Sequence, residues 1–77
     1  MKVLVIGATG PTGRLVLERA VRAGDTVTAL VRRPEALAEL SGQVTVLGGD
    51  PTSATELAAA MTGQDVVIST LGRGRSM

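Results

Sequence analysis

The stretch Val3-Leu4-Val5-Ile6-Gly7-Ala8-Thr9-Gly10-Pro11-Thr12-Gly13 decides how this 77-residue chain folds. It opens on a continuous apolar run, rich in β-branched side chains and stopped by glycine. A run without polar alternation suits a strand buried on both faces, as in the centre of a parallel sheet. Pro11 then suits the first position of a helix, where its fixed φ is pre-organised and its missing N–H has no use. Leu15, Val16, Ala20 and Val21 carry helical apolar spacing over about residues 11–23. Glu18 and Arg22 form an i,i+4 pair in the favourable order, and Gly24 is placed to cap the end. The glycines thus lie between the end of a strand and the first turn of a helix.

Each glycine has a physical task in that position. Gly7 lets the backbone turn sharply out of the strand, Gly10 leaves room for a phosphate group to approach the main chain, and Gly13 lets the helix pack closely. The N–H groups of the helix's first turn have no intrahelical acceptor, and the positive end of the helix dipole stands behind them. Pro11 supplies no N–H, so the backbone donors are those of Thr12 and Gly13. The Thr12 hydroxyl is a further donor candidate, with Thr9 behind it. The alternative is a glycine-rich turn that holds no ligand. A Walker-type phosphate loop fits poorly, because no Lys-Ser or Lys-Thr pair follows the glycines.

The rest of the chain alternates in the same manner. Thr26 to Val31 reads as a second strand, Pro34 to Leu40 as a short helix ended by Gly42, and Val44 to Leu47 as a third strand running into Gly48-Gly49. Ser53 with Glu56 three residues on is a capping box for a helix through Leu57 and Met61 to Gly63. Val66-Val67-Ile68-Ser69 is a fourth strand, followed by a polar tail from Arg73 to Met77. Alternating strands and helices with short connections imply an α/β, Rossmann-type parallel sheet with helices on both faces. Right-handed crossovers give it the strand order 3-2-1-4, half of a doubly wound fold. Residues 1–77 form one domain, with no repeat or linker.

The glycine spacing is GxxGxxG rather than GxGxxG. Together with Leu30-Val31-Arg32-Arg33-Pro34, Gly48-Gly49-Asp50 and Gln64-Asp65-Val66-Val67-Ile68-Ser69-Thr70-Leu71-Gly72, it resembles the atypical and extended short-chain dehydrogenase/reductases. The flavin reductase/biliverdin reductase and NmrA-like NAD(P)H-binding groups are the nearest look-alikes. The resemblance runs along essentially the whole chain. It implies a dinucleotide cofactor with its pyrophosphate on the glycine loop, Asp50 accepting from the adenine amino group, and the Leu71-Gly72 backbone beside the ribose. In those families the residue after the aspartate gives a backbone N–H to adenine. Pro51 has none here, so that half of the contact is in question.

The end of the second strand bears on the choice of cofactor. An NAD site places an acid there to accept from the ribose 2′-hydroxyl. This chain has Arg32-Arg33, and a guanidinium makes charge-assisted, often bidentate bonds to a 2′-phosphate. The cofactor expected is therefore NADP(H). The alternative reading has both arginines as solvated surface charges, pairing with Glu35. Asp50 has its own alternative, an acid favoured at a helix start by the dipole. Ser69 and Thr70 either line the crevice where the strand order reverses or are satisfied within the sheet end.

Composition sets the exclusions. The chain has no Cys and no His, which removes thiolate chemistry, a Ser-His-Asp triad and the usual zinc sites. It has no Tyr, and Lys2 is its single lysine, so the Tyr-x-x-x-Lys pair of the resembled families is absent, although some atypical members transfer hydride without it. No catalytic or metal-binding residue is expected. With 44% hydrophobic and 19% charged residues and a net charge of +1, the chain has the balance of a folded domain and no bias toward nucleic acid. The apolar start is broken too early for a signal peptide, and no run approaches the roughly 20 residues of a membrane helix, so a cytoplasmic protein is expected.

The resembled families are longer, and their later elements hold the nicotinamide contacts and the substrate pocket. The expectation is an N-terminal fragment, a short reading frame or a minimal half-domain. Its functions in view are the cofactor-binding half of an NADPH-dependent oxidoreductase, a non-catalytic NADP(H)-binding regulatory module, or an inactive fragment. Whether it is an enzyme is left open by these residues. A fourth strand with nothing beyond it invites self-association through Val66–Ser69.

Overall fold

The computed structural model describes residues 1–7, 10–40 and 42–70. Its elements are β1 (Lys2–Ile6), α1 (Pro11–Arg22), β2 (Thr26–Val31), a 3-10 helix (Pro34–Leu40), β3 (Val44–Gly48), α2 (Ala54–Met61) and β4 (Val66–Ser69). All strand pairs are parallel, in the order β3-β2-β1-β4 expected from the sequence. β1 is central: Val3 stands between Val27 and Val66, and Ile6 between Leu30 and Ser69.

Burial on both faces explains the unbroken apolar runs. Val3, Val5, Val27, Ala29, Val31 and Val44 face Leu17 of α1 and Leu37 of the 3-10 helix. Leu4, Ile6 and Leu30 turn the other way and pack with Leu57 and Ala60 of α2. Period-two alternation of a strand sends successive residues to opposite faces, so a strand with helices on both sides favours apolar residues along its length, with Thr28 of β2 the buried polar exception. Leu4 and Leu17 are wholly inaccessible to solvent, and Val67, on β4, remains 39% exposed.

The helix ends follow their local chemistry. α1 closes in a Schellman motif, with the Gly24 N–H donating to the Val21 carbonyl (3.0 Å) and the Asp25 N–H to the Ala20 carbonyl (3.1 Å). Gly24 takes a φ of +86°, which costs a glycine little. Glu18 and Arg22 form no ion pair, as is common for exposed charges that water solvates well. At α2 the capping box is only half made. The Ser53 side chain accepts from the Glu56 N–H. The Ser53 N–H, however, already donates to the Asp50 carbonyl at 2.9 Å. The Glu56 carboxylate instead accepts from the Asp50 N–H at 3.2 Å.

Arg14, one turn into α1, braces that helix against the 3-10 helix. Its Nη2 lies 2.7 Å from the Glu39 carboxylate, and its Nη1 donates to the Ala36 carbonyl at 3.4 Å. Among the described residues, no helix is long and apolar enough to cross a membrane.

Candidate functional site

In an open parallel sheet the place for a ligand is beyond the carboxyl ends of the strands, where neighbouring connections leave in opposite directions. Here that point lies between β1 and β4. Gly7 leaves β1 with a φ of +76°, a left-handed turn for which glycine is suited. Its N–H donates to the Leu30 carbonyl at 3.2 Å, tying the turn to β2. On the other side the Thr70 hydroxyl lies 2.6 Å from the Gly7 carbonyl oxygen and 3.0 Å from that of Ile6. Of the two sequence readings of Thr70, satisfaction at the sheet end is the one observed.

Gly10 is the N-cap of α1, in extended backbone (φ −80°, ψ 170°) that any residue adopts. A Cβ built there meets no described atom within 4 Å. Neither conformation nor packing within the described chain calls for glycine at this position. The first intrahelical bond of α1 runs from the Arg14 N–H to the Gly10 carbonyl (2.9 Å), so the Thr12 and Gly13 N–H groups precede it. Gly13 is buried and Thr12 is exposed. Thr9, a hydroxyl candidate, and Leu71 and Gly72, the backbone candidates, lie outside the described residues.

A cleft of about 380 Å³ opens beside this turn, lined by Gly7, Val31, Arg32, Arg33, Ala36, Pro51 and Thr52. Arg32 and Arg33 follow β2 directly and are both exposed. They do not pair with Glu35. The Arg32 Nη2 instead reaches Asp50 Oδ1 at 3.5 Å, and Arg33 forms no ion pair among the described residues. The wall that holds the arginines is closely built: a Cβ on Gly48 would come within 2.6 Å of the Pro34 ring. Glycine at 48 thus lets the 3-10 helix begin hard against the end of β3.

Asp50 precedes the lining residues Pro51 and Thr52 and meets Arg32 at the rim of the cleft. Its Oδ1 accepts from the Thr52 hydroxyl at 2.6 Å and the Thr52 N–H at 2.9 Å, besides facing Arg32. The Thr52 hydroxyl, then the Thr52 N–H, and then the Arg32 charge hold the carboxyl below its ordinary pKa of 3.8. A depressed folded-state pKa means stabilisation that is complete above the unfolded value and lost as the pH falls through the folded one. Melting temperatures taken from about pH 5 down to about pH 3 should therefore fall more steeply for the native chain than for Asp50→Asn. Parallel curves would show that these contacts do not favour the ionised form.

The structure thus brings Gly7, Arg32 and Arg33 to one cleft with Asp50 at its rim, and sets Gly10, Thr12 and Gly13 at the start of α1. Thr52 and Ala36 were not singled out by sequence. Asp50-Pro51-Thr52 carries the signal of an Asx turn, an aspartate bonding two residues on, and that would have found Thr52. Ala36 has no such signal.

The chain is similar to known proteins in sequence and in fold. The model of a family described as NAD(P)H-binding matches residues 7–77. An isoflavone reductase homologue, P3 of Arabidopsis thaliana, is 38% identical over 80 residues, covering 92% of this chain and 26% of the relative. The photosystem II assembly factor Ycf39 of Synechocystis is 38% identical over 69 residues, covering 88% of this chain and 21% of the relative. Among solved structures, the anaerobillin reductase ChuY from Escherichia coli O157:H7 superposes with a TM-score of 0.78 at 34% identity, covering 92% of this chain and 37% of that one. The chain spans about a quarter of the length of the curated relatives it matches.

Proposed function

From the premise that the chain belongs to the NAD(P)H-binding family, we propose that it is the NADP(H)-binding domain of an oxidoreductase of the atypical short-chain reductase type. The observation that carries the reading is the convergence of the Gly7 turn, the Arg32-Arg33 pair and the Pro51-Thr52 turn on one cleft. The residues fit a dinucleotide. The open space over Gly10 and the N–H groups of Thr12 and Gly13 suit a pyrophosphate. Arg32 and Arg33 suit a 2′-phosphate. The Arg32–Asp50 pair is long and both side chains are about half exposed or more, so a phosphate dianion competes with it readily.

Asp50 supports the adenine subsite. Ionised and acceptor-only at neutral pH, it commits Oδ1 to Thr52 and Arg32 and leaves Oδ2 for an exocyclic amino group. Pro51 cannot donate an N–H, and its buried ring gives that wall of the cleft an apolar surface for the base. When bound, the nicotinamide would supply the hydride. The described residues of this chain bind and orient the cofactor, and the groups that handle substrate belong to a part of the architecture beyond them.

Titration with NADPH and with NADH, followed by calorimetry or by nicotinamide fluorescence, tests the reading. Tighter binding of NADPH is the expected result. Equal affinities, or tighter NADH binding, would remove the arginine argument, and binding of neither would favour an inactive piece. A second reading, a non-catalytic NADP(H)-binding module that acts on a partner, is favoured by the relative whose name is an assembly factor. Hydride transfer by the longest chain that contains this sequence speaks for the reductase. Binding without turnover speaks for the module.

The edge of β4 belongs to the same proposal. β4 pairs only with β1 among the described residues, and Val67 stands exposed on it. An apolar edge of this kind recruits another strand. Size-exclusion chromatography of the 77-residue chain should give an apparent mass that rises with concentration. A single monomeric peak at every concentration would speak against association through Val66–Ser69.

A further inference from the structure

We infer that Thr70 is a positioning residue for the dinucleotide: its hydroxyl, at the end of β4, sets the conformation of the first glycine of the loop. The inference rests on the NADP(H)-binding reading and extends it to a residue outside the proposed contacts. Thr70 holds the end of β1 twice. Its N–H donates to the Ile6 carbonyl at 3.0 Å, continuing the sheet by one residue. Its hydroxyl lies 2.6 Å from the Gly7 carbonyl oxygen and 3.0 Å from that of Ile6. One hydroxyl has one proton, and the shorter separation is the one to Gly7.

The consequence lies in the electrostatics of the turn. Gly7 is the residue with a left-handed φ at the mouth of the cleft, and its N–H is already fixed on the Leu30 carbonyl. With the N–H held by β2 and the C=O held by Thr70, neither end of the residue is free to rotate. A carbonyl turned toward a pyrophosphate would present its negative end to an anion. The Thr70 hydroxyl keeps the Gly7 oxygen engaged on the β4 side and so keeps it out of the phosphate path. Such preorganisation raises affinity by removing the cost of fixing Gly7 on binding.

The test compares the native chain with Thr70→Val, which keeps the shape and loses the hydroxyl, and Thr70→Ser, which keeps the hydroxyl. Each is titrated with NADPH and with adenosine 2′-monophosphate, which reaches the arginine side of the cleft and has no pyrophosphate. T70V is expected to bind NADPH about five- to tenfold more weakly, the range of one lost hydrogen bond. It is expected to bind adenosine 2′-monophosphate as the native chain does, and T70S should restore NADPH binding. Equal loss for both ligands, or no rescue by serine, would make Thr70 a general fold residue and overturn the assignment. If T70V does not fold, Thr70→Ala repeats the comparison, and failure of both variants to fold overturns it as well. A native chain that binds neither ligand defeats the cofactor reading itself. A native chain that binds NADPH no better than T70V does defeats only the role of Thr70.

Discussion

Replacing Arg32 by alanine is expected to weaken NADPH binding by about ten- to a hundredfold and to change NADH binding by less than about threefold. The two cofactors differ only in the 2′-phosphate, so a loss confined to NADPH reports on that group alone. Arg32 leaves β2 at the rim of the cleft with its guanidinium exposed and, among the described residues, partnered by a long bond to Asp50. Charge-assisted bonds from a guanidinium to phosphate are worth about 1.5–3 kcal/mol, and that range sets the expected factor. Loss of Arg32 need not collapse the site, because Thr52 still holds Asp50 through its hydroxyl and its N–H. Isothermal titration of both cofactors into R32A decides the matter. A parallel loss for NADH and NADPH would assign Arg32 to shaping the cleft, and no loss would return it to the solvated surface.

Leu17→Ala should bring the largest loss of stability. Leu17 is wholly buried, at the centre of the cluster that joins α1 to β1, β2 and β3. Truncating a buried leucine costs about 2–5 kcal/mol, the lost transfer free energy plus the cavity it leaves. Domains of this size carry only about 5–15 kcal/mol in all, so the melting temperature should fall by about 10–30 °C. Thermal unfolding followed by far-ultraviolet circular dichroism measures it. A fall of less than about 5 °C would mean that α1 settles into the space without loss of packing. Because α1 carries Gly10, Thr12 and Gly13 at its start, excess NADPH should recover part of the lost melting temperature.

What was legible in the sequence had a repeating physical cause. The unbroken run Val3–Ile6 announced a central strand because a strand covered on both faces has no polar position to show. The order 3-2-1-4 followed from handed crossovers, a rule of backbone geometry independent of the side chains. The glycine turn was legible for the same reason, and Gly7 has the positive φ expected of a sharp exit from β1. The cross-chain polar contacts were not. Arg32 and Asp50 are 18 residues apart, at the ends of different strands, and no local pattern marks them as a pair. Glu56 left the capping box because the Ser53 N–H had another acceptor, which is a property of the turn before the helix and not of the motif. The reach of Thr70 to Gly7 crosses 63 residues and depends on register alone.

That span also bears on how the molecule comes together. β1 is made well before its second neighbour, β4, which comes after every other described strand. Contacts such as that between Lys2 and the Asp65 carboxylate close a loop of 63 residues. Non-local parallel pairings of this kind meet their entropic cost late and slow the folding of small domains. During synthesis, one flank of β1 stays open until residues 66–69 emerge, and the crevice between β1 and β4 cannot close before then. A dinucleotide laid across that seam would act as a clasp on the longest closure among the described residues. At a hundredfold excess over its dissociation constant it would add about 2.7 kcal/mol to the folded state. In the cell, the supply of cofactor would then influence how much of the chain is folded as well as how much is loaded.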